Sequence, residues 1–341
     1  LTGFQQMTSE FSFIEQIRRR AARAAPDLVL GIGDDTAIWR EHKGRERLVT
    51  TDLLIEDVHF KLEYTPLACL GHKALAVSLS DIAAMGGKPD FALLSLGIPK
   101  SQISNPTWPD FFDSYFALAD KHGVTLIGGD TSSSSDKLVI DSIVMGSCEG
   151  GTAIRRSGAQ LGDSIYVTGQ LGASATGLEL LARGERLEPA ANDLRQAAMR
   201  AHLLPEPRLA FAQRLNGLAH ALMDVSDGLA QDLSHICAES GVDAIIAFDA
   251  VPIADCVSWL RPLREEAFSL AVSGGEDYEL LFTAPPAQDE ALRELAAECE
   301  LRLTGIGEII ARRTPHAAAQ LFLRTSEGVD LLAVKGYDHF E

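Results

Sequence analysis

Six aspartates stand out by where they fall: Asp34, Asp52, Asp81, Asp130, Asp224 and Asp227. Five sit in Gly31-Ile32-Gly33-Asp34-Asp35, Thr50-Thr51-Asp52, Gly128-Gly129-Asp130 and Asp224-Val225-Ser226-Asp227-Gly228, each read as the end of a short apolar strand. Asp81 differs. It falls on the row Leu70, Ala74, Val77, Asp81 of a helix read over residues 66–85, and so interrupts the apolar face. A carboxylate aimed at a core needs a cation, either Lys73 on the same helix or a metal. Carboxylates and the hydroxyls of Thr50 and Thr51 are hard oxygen donors suited to Mg²⁺, which keeps part of its shell for water and phosphate. Taken singly, each segment is equally a tight turn or a capped helix start. Together, six carboxylates on one rim repel one another unless cations intervene, and several Mg²⁺ ions bridging a polyphosphate would resolve that. The pair Arg155-Arg156 offers guanidinium forks matched to phosphate oxygens.

The elements that must hold these residues read as a mixed α and β chain. Its 341 residues exceed one ordinary core, so two domains are expected, residues 7–150 and 151–341, parted in the glycine-rich stretch 150–162. The first carries helices at 11–25, 66–85 and 108–122 and strands at 28–32, 47–51, 91–98, 125–127 and 138–147, an α+β pattern. The serine run 132–135 reads as a mobile loop. The second carries strands at 164–168, 221–223, 244–248, 278–282 and 302–309 and helices at 173–182, 193–202 and 208–216. Residues 1–6 ahead of Met7 read as an added segment.

With 30 basic and 48 acidic side chains the formal charge is −18, which repels nucleic acid and anionic membrane surfaces. Phosphate binding then requires imported metal ions or locally concentrated Arg, Lys and backbone N–H groups. Five scattered cysteines with no CxxC pair fit a reducing cytoplasm. No apolar run is read as spanning a bilayer, which takes about 18 residues. The absence of GxxxxGK[ST], of a full GxGxxG, of HExxH and of GxSxG removes the main support for Walker-type NTPases, dinucleotide oxidoreductases, zinc proteases and α/β-hydrolases.

Eight segments, in order, resemble those of the thiamine-monophosphate kinases, within the superfamily that also holds aminoimidazole ribonucleotide synthetase, selenophosphate synthetase and HypE: GIGDDTAIW, TTDLLIEDVHF, GHKALAVSLSDIAAMGGKP, LIGGDTS, RRSGAQLGD, MDVSDGLAQDLSHI, SGGEDYELLFT and GYDHF. The resemblance implies a PurM-like pair of domains, an N-terminal α+β domain that dimerises with its twin in a homodimer and a C-terminal α/β domain, with ATP in the cleft between them. It implies transfer of the ATP γ-phosphoryl group to thiamine monophosphate, with several Mg²⁺ ions and with K⁺ as a further candidate. By motif, the Mg²⁺ ligands would be Asp34, Thr50, Thr51, Asp52, Asp81, Asp130, Asp224 and Asp227, with Asp52, Asp130 and Asp227 assisting transfer. ATP would meet Gly129, Asp130, Arg156 and Ser226, with a further contact in the region 112–116, and thiamine would meet His59, Glu276 and Tyr337. Asp57 departs from the pattern, standing where the family has Gly. Two alternatives remain at this point: another ATP-dependent synthetase of the superfamily, and a non-catalytic Mg²⁺-nucleotide-binding scaffold. Selenophosphate synthesis would call for an N-terminal Cys and Lys pair, and the first cysteine here is Cys69.

Overall fold

The computed structural model describes residues 27–41, 44–188, 190–314, 318–334 and 336. The helix expected at 11–25 and the residue Tyr337 lie outside the described residues.

The first half builds a six-stranded sheet from β1 (Leu28–Leu30), β2 (Ala37–Glu41), β3 (Arg45–Ile55), β4 (Lys88–Pro99), β5 (Thr125–Ser134) and β6 (Val139–Glu149), in the order β1-β2-β3-β6-β4-β5. Its neighbours are antiparallel except β4 and β5. On β3 alternate side chains face opposite ways, so Leu48, Thr50 and Leu54 turn inward while Thr51 and Leu53 turn out. Helix α1 (Leu67–Ala84) covers the inward face, and α2 (Trp108–His122) lies along α1.

The second half forms a seven-stranded sheet from β7 (Ser164–Thr168), β8 (Ala221–Asp224), β9 (Asp243–Ala247), β10 (Leu280–Ala284), β11 (Leu303–Ile310), β12 (Leu321–Thr325) and β13 (Gly328–Leu332), in the order β13-β12-β9-β11-β7-β10-β8. Only β12 and β9 run parallel. Its helices are α3 (Ala173–Ala182), α4 (Leu194–Leu203), α5 (Leu209–Ala212), α6 (Leu229–Ser240), α7 (Asp255–Leu260), α8 (Arg264–Ser273) and α9 (Asp289–Glu298). The strands β7, β8 and β10 are buried almost throughout because both their faces are covered. Tyr166, Leu222 and Phe282 join α1, α5 and α9 in one core, while Ile165, Met223 and Leu281 join α3, α4 and α6–α8 in the other. Helix α1 is therefore a shared layer, packed against β3 and β6 on one side and β8 and α5 on the other.

Several elements differ from the expectation. The serine run is not a loop: Ser132, Ser133 and Ser134 pair with Gly97, Ile98 and Pro99, extending β5 well past residue 127. Edge position explains this, since one side of the backbone is satisfied by β4 whatever the side chains prefer. Helix α1 is long and apolar enough by composition to cross a membrane, contrary to the expectation that no such run exists, and it is buried in the core. The helices α6–α9 and the strands β2, β12 and β13 go beyond the elements expected from the sequence.

Candidate functional site

Carboxylates converge where α1 joins the two sheets. Asp35 comes from the loop between β1 and β2, Asp81 from the C-terminal part of α1, and Asp224 from the end of β8, and one oxygen of each lies within 4.8 Å of the others. Burial, and then the charges of Asp52, Asp224 and Asp35, push the Asp81 carboxyl well above its usual range. Burial followed by Asp35 raises Asp224 to about 8, burial raises Asp52 to about 6, and burial followed by Asp35 raises Asp34 to about 7. Acids crowded this closely are poised to lose protons to a cation, and the all-oxygen donor set fits Mg²⁺.

Helix α1 and its neighbours orient the acids. The Thr50 hydroxyl donates to Asp81, Ser78 Oγ donates to Asp52 Oδ2 at 2.6 Å, and Ser80 Oγ donates to Asp224 Oδ2 at 2.5 Å. One buried helix thus hands hydroxyl donors to an acid from each sheet. The salt bridge from Lys73 to Asp81, open on the sequence, is not formed; Lys73 Nζ instead lies 3.0 Å from Glu276 Oε1. Arg156 supplies the local positive charge, its Nη2 2.5 Å from Asp35 Oδ1 and its backbone N–H donating to Asp34 Oδ2 at 3.2 Å. The acid in the converging triad is Asp35, where the motif points to its neighbour Asp34; the adjacent Asp-Asp pair is the signal the sequence offers.

A cleft of about 770 Å³ opens beside this cluster, lined by Asp52 and His59 from the first half and by Ser226, Asp227 and Glu276 from the second. The Ile55 N–H donates to His59 Nδ1 at 3.0 Å, which leaves Nε2 as the protonated nitrogen of the neutral ring. Around Ser226 the backbone is zipped to the Gly-Gly-Glu loop: Glu276 N–H donates to Ser226 O at 2.7 Å and Tyr278 N–H to Val225 O at 2.9 Å. Gly275 permits this approach, because a Cβ there would stand 2.5 Å from Ser226 O. Asp232 carries no motif signal that sequence reasoning picks out. Buried at the start of α6, its Oδ2 accepts from the backbone N–H groups of Asp227 and Gly228, so it caps the helix that follows the Asp-Val-Ser-Asp-Gly turn.

Thr51 and Asp130 sit apart from the triad. Thr51 turns to the outer face of the first sheet, where its hydroxyl donates to Asp141 Oδ1 at 2.6 Å. Asp141 pairs across to Ser95, and Ser95 pairs with the exposed Asp130 on the edge strand β5. Gly129 precedes Asp130 with φ of 152°, and a Cβ there would meet Leu94 O at 1.8 Å. In the region 112–116, Phe116 is exposed and Tyr115 fully buried. Asp57, at the position where glycine is expected, has φ of 69° and pairs with Lys137.

Residues 33–148 match the family model for the AIR synthase related protein N-terminal domain, and residues 160–318 that for the C-terminal domain. The thiamine-monophosphate kinase of Bacillus subtilis is 37% identical over 334 residues, covering 97% of this chain and 99% of that protein. The Escherichia coli K12 enzyme is 38% identical over 332 residues, covering 97% and 98%. This chain belongs to the thiamine-monophosphate kinase family. Among solved members, the Stenotrophomonas maltophilia kinase is 40% identical with a TM-score of 0.74, covering 92% of this chain and 96% of that one. The structure of AaThiL complexed with AMPPCP and TMP is 30% identical with a TM-score of 0.83, covering 99% and 100%. Membership fixes the fold class as the two-domain, PurM-like arrangement of mixed sheets and helices.

Proposed function

We propose that this chain transfers the γ-phosphoryl group of ATP to thiamine monophosphate, forming thiamine diphosphate, the last step in making that cofactor. The observation that carries the reading is a cleft lined by Asp52, Asp227 and Glu276 that opens beside a convergence of carboxylates. The Asp35–Asp81–Asp224 convergence with Arg156 suits metal-bound polyphosphate, and Glu276 suits a cationic ring. Support comes from relatives bearing this kinase name over nearly the whole chain, and from a relative complexed with AMPPCP and TMP.

Bound Mg²⁺ would neutralise the two facing phosphates and the charge that grows on the bridging oxygen. The acceptor is a phosphate oxygen already ionised near neutral pH, so the chain needs neither a strong base nor a covalent nucleophile. Its own residues bind and align. Asp34, Asp35, Thr50, Asp52, Asp81, Asp224 and Asp227 are the proposed metal donors at the cleft, with Asp52 and Asp227 nearest the transfer, while Thr51 and Asp130, which the first sheet holds apart from them, are proposed to serve a further ion. Gly129, Asp130, Arg156 and Ser226 are assigned to ATP, and His59, Glu276 and Tyr337 to thiamine. In this reading transfer is direct and in line, and its rate enhancement comes from positioning and electrostatics.

The assembly is a homodimer through the outer face of the first sheet, where Leu53, Phe91 and Ile127 are 49%, 41% and 54% exposed, an apolar display that favours a partner. Residues 7–150 form the dimerising domain and 151–341 the domain completing the cleft. Five free cysteines agree with a cytoplasmic site of action. The test is purified protein with ATP and Mg²⁺, with and without K⁺, offered thiamine monophosphate, thiamine or formylglycinamidine ribonucleotide. Thiamine diphosphate and ADP should form in equal amounts from the first alone, and Asp52→Asn should remove turnover while leaving the thermal transition in place. A phosphorylated enzyme trapped during turnover would refute direct transfer.

A further inference from the structure

Lys73 is buried to 1% exposure on α1, a costly place for an ammonium without an anion. The anion it meets is Glu276, in a loop of the other half of the molecule, at 3.0 Å from Oε1. The second carboxylate oxygen, Oε2, lies 3.2 Å from Nδ1 of His202 at the end of α4, itself 2% exposed and 3.0 Å from Ser174 Oγ. A carboxylate only accepts, so the tautomer that serves Glu276 carries its proton on Nδ1, with the Ser174 hydroxyl beside it. Each oxygen of Glu276 is thus held by a different half of the chain, while the side chain stays 27% exposed to the cleft. Its backbone is in the left-handed region, φ 62°, a conformation a glutamate holds only when its surroundings over-determine it. As a stabilising device the arrangement is poor, since desolvating both ions offsets most of their attraction. As a means of fixing an anion in a ligand site it is effective.

We propose that Lys73 and His202 are positioning residues for the acceptor: they clamp the two oxygens of Glu276 so that a pre-set anion faces the cationic end of thiamine monophosphate. This rests on the reading of Glu276 as an acceptor contact. Lys73 lies eight residues before Asp81, about 12 Å along the same helix, so α1 registers the acceptor site against the metal cluster. The groups facing Glu276 are Lys73 from α1, His202 from α4, Tyr64 from the segment before α1, and Tyr278 two residues on. Burial alone would raise the Glu276 carboxyl, but Lys73 and then His202 outweigh it and hold it well below the usual carboxylate range. Burial, then Lys73, pulls His202 below its usual value and keeps its ring neutral.

Removing Lys73 leaves His202 alone against burial, so the Glu276 carboxyl rises, takes up a proton more readily as pH falls and weakens its hold on the cation. Lys73→Met should raise KM for thiamine monophosphate roughly ten- to hundred-fold, with kcat within about threefold and KM for ATP unchanged. Its KM for thiamine monophosphate should rise further as pH falls, a dependence that the KM of the parent lacks. Lys73→Arg should recover most of the loss. His202→Asn, whose amide nitrogen stands in for Nδ1, should stay close to the parent while His202→Leu raises the same KM, and this pair decides the matter if Lys73→Met does not fold. A parent that turns over thiamine monophosphate while Lys73→Met and His202→Leu keep its KM and pH profile overturns the clamp. Glu276→Gln with an unchanged KM overturns it as well, by moving the acceptor elsewhere. A parent with no turnover instead sinks the kinase reading itself.

Discussion

Asp224→Asn should make the metal-free protein more stable at alkaline pH while abolishing its activity. Asp224 is 1% exposed, and burial followed by the charge of Asp35 raises its carboxyl from 3.8 to about 8. An acid raised by folding contributes stability that is fully present below its unfolded value and is lost as pH rises through its folded value, so the window is pH 3.8 to about 8. Each pH unit across that window is worth about 1.4 kcal/mol, so ionising this one buried group costs at most roughly 6 kcal/mol once the pH has passed it. Asp81 relaxes part of that penalty by holding a proton itself, and Arg156 loses an anion in the variant, so a net gain of about 2 kcal/mol is expected. Asparagine keeps an oxygen for the Ser80 hydroxyl and turns an amide donor toward the remaining acids. The assay is thermal unfolding in EDTA at about pH 5.5 and about pH 8.5, on either side of most of the titration, repeated with Mg²⁺. The parent should lose stability between the two pH values in EDTA and regain it with Mg²⁺. The variant should show a shallower pH slope, a higher midpoint than the parent at the alkaline pH in EDTA, and little response to Mg²⁺. A variant less stable than the parent at that pH without metal would refute the view that these acids are crowded against their own electrostatics.

Two other substitutions test the backbone. Gly129→Ala places a Cβ against Leu94 O and at a φ that L-residues rarely adopt, so it should cost roughly 2–4 kcal/mol and loosen β5, read by denaturant unfolding and by faster amide exchange over residues 125–134. Asp57→Gly relieves the left-handed strain and loses only an exposed pairing with Lys137, so the unfolding midpoint should hold or rise slightly; a fall of several degrees would show that the Lys137 contact matters more than the strain.

How far the site is legible in the sequence depends on how local its determinants are. Asp81 follows from helical periodicity alone, because the row Leu70, Ala74, Val77 has only one inward direction. The strand-end positions of Asp52 and Asp224 follow from short apolar runs, and the expected bounds of α2 and β7 coincide with the observed ones. The choice between Asp34 and Asp35 is beyond such reasoning. Adjacent residues in a loop point different ways, and their orientation answers to Arg156, 121 residues on. Lys73 illustrates the same limit: an intrahelical partner is the local expectation, and the actual partner arrives from a loop about 200 residues later in the chain.

The membrane-like composition of α1 follows from the work it does. A helix lying between two sheets has no solvent-facing side, so each polar group it carries must be met by a specific partner. Ser78, Ser80 and Asp81 are hydrogen-bonded to Asp52, Asp224 and Thr50, and Lys73 is ion-paired with Glu276. Most other positions are then free only to be apolar or small, and the result passes for a bilayer span by length and composition. These partnered polar side chains in an otherwise apolar buried helix are therefore where the carboxylate cluster and Glu276 are registered against each other. A substitution on this helix that shifted it by even a fraction of a turn would misalign the metal acids and the acceptor anion together.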